Sequence, residues 1–109
     1  MEIKTDGDVT VAFMVPRFDA SNANDSEMVL QGLIAKGAKK IVYDFSQTEY
    51  IASAGLRVLL STAKGLQKSG GQIFIVSMKP FVREVFEISG FSQIFKVYAS
   101  QQEAIESLK

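Results

Sequence analysis

Ser53 sits in the run "DFSQTEYIASAGLRVLL" (Asp44 to Leu60), where a short apolar strand pattern gives way to a helical one. The groups available for chemistry there are Asp44, Ser46, Ser53 and Arg57. A second polar run, "VPRFDASNA", adds Asp19 and Ser21. A nucleophilic serine needs a base. The chain has no histidine and no cysteine, which excludes a Ser-His-Asp triad, a Cys-His dyad and the usual zinc sites. Only a lysine could then activate Ser53, and none lies near it in sequence. Neither a Gly-rich, lysine-bearing phosphate loop nor a dinucleotide-binding glycine triplet occurs. Asp19 and Asp44 do not make an acid–base pair without geometry. No catalytic, cofactor or metal residue is therefore assigned, and the chain is not expected to be an enzyme.

Two uses remain for Ser53. Its hydroxyl can cap a helix by accepting from the amide of Gly55 or Leu56, an interaction typically worth ~1 kcal/mol. Alternatively it is a phosphorylation site, gaining about −1.5 to −2 charges next to a helix N-terminus that tolerates them. The small neighbours Ala52, Ala54 and Gly55 suit both readings. They leave the hydroxyl open to a modifying enzyme, and they are also what a tight strand-to-helix turn requires.

The elements that position these residues follow from hydrophobic periodicity and turn signals. Residues 2–5 and 9–15, separated by Asp6-Gly7-Asp8, form a predicted hairpin, and Pro16 closes the second strand. "SNANDSEMVLQGLIAKG" is a predicted helix with Val29, Leu30, Leu33 and Ile34 on one face and Gly37 as its stop. "KKIVYDF" is a predicted central strand. The next helix is expected from about Ala54 to Lys68, with Leu56, Leu59, Leu60, Ala63 and Leu66 facing the core. "QIFIV" is a further strand, Pro80 opens a third helix stopped by Gly90, "IFKVY" is a last strand, and Ser100 caps a terminal helix.

The order is roughly ββαβαβαβα: an α/β fold with a mixed sheet of about five strands and about four helices, mainly on one face. Phe74, Phe86, Phe91 and Phe95 are assigned to packing, Phe81 to a possible binding surface, and Met14, Met28 and Met78 to packing. Asp44 and Ser46 are expected to tie the strand-end turn through local side-chain hydrogen bonds.

Composition sets outer bounds. A chain of 109 residues with 47% hydrophobic residues suits one domain, residues 1–109. Twelve basic residues balance twelve acidic ones, so no net field favours nucleic acid or an anionic membrane. The absence of cysteine and of an apolar N-terminal run predicts a cytoplasmic setting with neither a signal peptide nor a membrane span.

"KKIVYDFSQTEYIASAGLRVLL", with the later "GGQIFIVSMKPFVREVFEISGFSQIFKVY", resembles the STAS domain of bacterial anti-sigma factor antagonists over essentially the whole chain. The family pattern is a strand ending in Asp-x-Ser, then hydrophobic-x-Ser-(Ser, Thr or Ala)-Gly-Leu entering a helix. Asp44, Ser46, Ile51, Ser53, Ala54, Gly55 and Leu56 match it. The resemblance implies a partner switch in which Ser53 is phosphorylated by an anti-sigma factor that is also a GHKL-type serine kinase. The unphosphorylated form would bind that partner and free the sigma factor, and a PPM-type phosphatase would reset the switch. It also implies a binding surface formed by Asp19, Ser21, Ala52, Ala54, Gly55 and Arg57.

The family pattern leaves two alternatives, a small nucleotide-binding signalling domain and a scaffold module controlling an output other than a sigma factor. Three departures from it stand out. Ala52 replaces an acidic residue common before the serine, "PRFDAS" replaces the usual small entry to the first helix so that Asp19 takes the acidic place, and Arg57 stands where a glycine often follows Gly-Leu. Arg57, four residues after Ser53, is placed to clasp a phosphate there or to bind a partner carboxylate.

Overall fold

The computed structural model describes residues 1–108 and their side chains except that of Ser92. Lys109, included in the expected domain, lies outside the described residues. The chain opens with an antiparallel hairpin of β1 (Glu2–Asp6) and β2 (Val9–Phe13), in which Asp6 pairs with Val9 around Gly7-Asp8. The alternating charges Glu2, Lys4 and Asp6 on β1 suit an exposed sheet edge. There follow β3 (Arg17–Phe18), α1 (Ala23–Ala35), β4 (Lys40–Asp44), β5 (Tyr50–Ile51) and α2 (Ser53–Lys68). The chain ends with β6 (Gln72–Val76), α3 (Pro80–Ile88), a short 3₁₀ turn at Phe91–Gln93, β7 (Lys96–Tyr98) and α4 (Gln101–Ser107).

Five strands make one sheet in the order β1-β2-β4-β6-β7, parallel throughout except for the β1–β2 pair. Because each parallel strand is added on the same side of the last, right-handed crossovers put α1, α2 and α3 on one face. The terminal helix α4 connects to no further described strand, so that rule does not bind it, and it packs on the opposite face. The expectation of helices mainly on one face therefore holds for three of the four.

The strand residues divide between the faces with period two. Ala12, Tyr43 and Ile75 join the core under α1–α3, whereas Val11, Val42 and Phe74, paired across the sheet, join Ala104 and Ile105 of α4 in a second core. Cover on both sides is why β4 reads as a continuous apolar run.

The helix ends follow their local chemistry. Gly37 and Gly90 lie just past α1 and α3 at φ of 101° and 77°, conformations open to glycine at little cost. Pro80 is the first residue of α3. Ser100 accepts from the Glu103 amide at 3.2 Å, and Glu103 accepts in return from the Ala99 amide at 3.2 Å, which closes a reciprocal cap on α4.

Two details differ from the sequence expectation. The inward face of α2 is formed by Gly55, Val58, Leu59, Thr62, Ala63 and Leu66, while Leu60 is only half-buried. Thr62 enters the core because its hydroxyl donates to the Val58 carbonyl at 2.9 Å and accepts from the Tyr43 hydroxyl at 2.8 Å. On α1, Met28, expected to pack, is 74% exposed, and Val29, expected to share the packing face of Leu30, Leu33 and Ile34, is 40% exposed.

Candidate functional site

The segment from β4 to α2 is held at each step. The Asp44 side chain is buried; it accepts from the Ser46 amide at 2.8 Å, making a local turn, and from Gln101 Nε2 of α4 at 2.9 Å. Thr48 is fully buried, and its hydroxyl donates to the Val15 carbonyl at 2.8 Å. The Glu49 amide donates to the Pro16 carbonyl at 2.8 Å. β5 then pairs in parallel with β3, and the Ala52 amide donates to the Phe18 carbonyl at 3.0 Å. This two-stranded ribbon brings the loop carrying Asp19 and Ser21 beside the start of α2. It was not anticipated from sequence, because strands of two residues carry no periodicity.

Ser53 is the first residue of α2 and is exposed. The N-cap is Ala52, whose carbonyl accepts from the Gly55 and Leu56 amides at 3.0 and 3.1 Å, and no side chain caps the helix. The expected capping bond from Ser53 is therefore absent: the residue lies one position too far into the helix for its hydroxyl to reach back to those amides. With neither cap nor carboxylate in the first turn, the amide-rich end of a 16-residue helix faces outward beside that hydroxyl.

The other expected site residues are arranged around it. Ala52 and Ala54 are half-buried and leave Ser53 unobstructed. Gly55 is buried and presents no side chain to a partner; a Cβ there would lie 2.7 Å from the Phe18 carbonyl oxygen and 2.9 Å from its Cγ. Its role is to let β3 press against the helix start. Arg57 is exposed on the next turn, and among the described residues it forms no ion pair.

Asp19 is committed within its own loop. It accepts from the Ser21 hydroxyl at 2.6 Å and the Ser21 amide at 3.0 Å, with Arg17 Nε at 3.5 Å. These bonds, those from Ser21 foremost, hold its carboxyl below the ordinary aspartate value.

One surface feature had only partial sequence signals. The Arg17 guanidinium lies 4.5 Å from the centre of the Tyr50 ring, and Tyr50 stacks on Phe81 with centroids 6.3 Å apart. Lys79 Nζ meets Glu49 Oε1 at 3.6 Å alongside. Phe81 is half exposed, in keeping with its place at the opening of α3.

Known proteins share this architecture. A family profile described as the STAS domain matches residues 1–104. A protein of Bordetella bronchiseptica, BtrV, provisionally named an anti-sigma factor antagonist, is 41% identical over 106 residues, spanning 97% of this chain and 90% of that protein. A crystal structure from Thermotoga maritima, provisionally described as an anti-sigma factor antagonist, superposes with a TM-score of 0.91 at 29% identity over 97% of this chain and 92% of that one. The Bacillus cell fate determinant SpoIIAA in its phosphorylated form shares the fold, with a TM-score of 0.78 at 20% identity over 99% of this chain and 98% of that one. With the family profile running from β1 into α4 and the ribbon-held turn at the start of α2 in place, the chain belongs to the STAS domain family.

Proposed function

We propose that this protein is an anti-sigma factor antagonist whose state is set by phosphorylation of Ser53. Unphosphorylated, it binds an anti-sigma factor that is also a GHKL-type serine kinase and so frees the sigma factor. The kinase transfers the γ-phosphoryl group of ATP to Ser53 Oγ: the bond from the γ-phosphorus to the bridging oxygen breaks, ADP leaves, the hydroxyl proton passes to a base of the kinase, and the modified protein is released. A PPM-type phosphatase hydrolyses the phosphoserine and restores binding. The named relatives support the antagonist role, and one observation carries the assignment to Ser53. Its hydroxyl is exposed at the first position of α2 and caps nothing, so the fold does not need it and a kinase can reach it.

The same position explains how a phosphate switches binding without unfolding the protein. A dianion beside the helix N-terminus is tolerated by the helix. At an interface, the same charge must be desolvated or face like charge. Each 1.4 kcal/mol lost is about tenfold in affinity, so a few kcal/mol empties the complex.

The test is peptide mass spectrometry of the protein isolated from its own cells, with Ser53→Ala alongside. The expected result is a phosphate on Ser53, absent from the variant. The variant's urea stability should stay within about 0.5 kcal/mol of wild type, as for a surface change that removes no cap. No phosphate at Ser53 across growth and stress states, with phosphatases inhibited, would overturn the proposal.

A further inference from the structure

α2 carries three cations, Arg57, Lys64 and Lys68, and no aspartate or glutamate in its 16 residues. The chain as a whole is neutral, so this is local segregation of charge. The four ion pairs among the described residues engage Arg17, Lys40, Lys79 and Arg83, and none of the three α2 cations takes part. The neighbouring α1 has Asp25 and Glu27 yet offers no pairing; it meets α2 through Gln31 Nε2, 3.5 Å from Ser61 Oγ. Lys68 in the last turn complements the helix dipole, but Arg57 near the first turn opposes it. Helix stability therefore does not account for Arg57.

Geometry aligns these cations with the switch residue. Ser53, Arg57, Leu60, Lys64 and Lys68 are spaced four, three, four and four apart. At 100° per residue they fall within an arc of roughly 80° and run about 22 Å along the helix. Beside them lies a shallow groove of about 400 Å³ lined by Arg57, Leu60, Ser61, Lys64, Gly65 and Lys68. Small Ser61 and Gly65 keep its floor low, half-buried Leu60 adds apolar contact, and the cations stand around it.

We infer that this face of α2 is a docking strip for an acidic amphipathic helix of a partner protein, with Ser53 at its head. The cations are about 10 and 6 Å apart along the axis, the spacing of carboxylates at i, i+7 and i+11 on a partner helix. Nucleic acid, with a charge per ≈ 1.7 Å of duplex, would meet only three cations on a neutral protein. Exposed pairs of this kind set orientation and encounter rate more than affinity. The second half of the inference rests on the phosphorylation proposed above. A phosphate at Ser53 adds about −1.5 to −2 charges one turn from Arg57, cancelling half or more of the strip's charge and occupying its first cation.

The test is an NMR titration of the full chain with a synthetic alanine-based helical peptide bearing glutamates at i, i+7 and i+11 and a leucine at i+4. Amide shifts should cluster on residues 57–68. Arg57→Glu, Lys64→Glu and Lys68→Glu together should weaken binding roughly tenfold or more. A control with the same charge change elsewhere, Lys4→Glu, Lys36→Glu and Lys96→Glu, should change it by less than about twofold. Ser53→Asp should weaken it severalfold. Equal losses in the two triple variants, shifts clustered elsewhere, or tighter binding of a single-stranded ten-nucleotide DNA to the same residues would each overturn the inference. The two readings fail separately. Phosphate on Ser53 with no peptide on α2 removes only the docking strip, whereas a strip that binds the peptide in a protein never phosphorylated at Ser53 removes only the switch.

Discussion

Gly55→Ala tests whether the start of α2 is set by β3 pressing on it. The added Cβ would lie 2.7 Å from the Phe18 carbonyl oxygen and 2.9 Å from Phe18 Cγ, against an ordinary carbon contact of about 3.5–4.0 Å. Neither neighbour can yield cheaply. The Phe18 ring is fully buried, and its carbonyl holds the Ala52 amide at 3.0 Å within the β3–β5 ribbon. Overpacking of this kind costs about 1–3 kcal/mol, offset by the roughly 0.5–1 kcal/mol that alanine gains over glycine in a helix. The net expectation is a loss centred on about 1 kcal/mol. Gly32→Ala in α1 is the matched control, because its Cβ would meet nothing within 4 Å, and it should gain about 0.5–1 kcal/mol. Equilibrium urea unfolding followed by circular dichroism separates the two, since at a slope of about 1.5 kcal/mol/M the midpoints should differ by roughly 1 M. A Gly55→Ala variant as stable as Gly32→Ala would refute the reasoning. Amide shifts confined to Phe18 and residues 52–56 would show the strain falling on the Ser53 turn.

Two other predictions concern polar contacts. Thr62→Val strips the buried Tyr43 hydroxyl of its acceptor at 2.8 Å and should cost about 1–3 kcal/mol. Tyr43→Phe leaves the Thr62 bond to the Val58 carbonyl intact and should cost about 1 kcal/mol or less, so strictly additive losses in a double-mutant cycle measured by urea unfolding would contradict the pairing. In the second loop, the Asp19 carboxyl is held below its ordinary value of 3.8, chiefly by Ser21. Its folded pKa is the lower one, so its contribution to stability is present above the unfolded value and is lost as pH falls through the folded one. Carbon-detected NMR titration should place the Asp19 midpoint below that of an ordinary aspartate, and Ser21→Ala should raise it. An unchanged midpoint in that variant would sink the assignment.

The main elements were legible because each rests on local chemistry. Short apolar, β-branched runs mark β2, β4 and β6, and helix stops at Gly37 and Gly90, Pro80 and the Ser100 cap need only near neighbours. The Asp44 to Leu56 motif likewise singled out Ser53. What the sequence could not supply were the contacts between segments far apart in the chain. Phe18 and Gly55 meet through a ribbon of two-residue strands, too short for a periodic signal. That contact places Ala52, not Ser53, at the N-cap and so frees the serine hydroxyl from the capping bond that its position in the sequence suggested. Thr62 enters the core with its hydroxyl paired because Tyr43, 19 residues away in the chain, offers a hydroxyl partner. By themselves the residues specified the main elements and singled out Ser53. Only the tertiary structure determined which groups around that serine are buried, which are paired and which remain free to meet a partner, because burial and pairing depend on side chains brought in from distant parts of the chain.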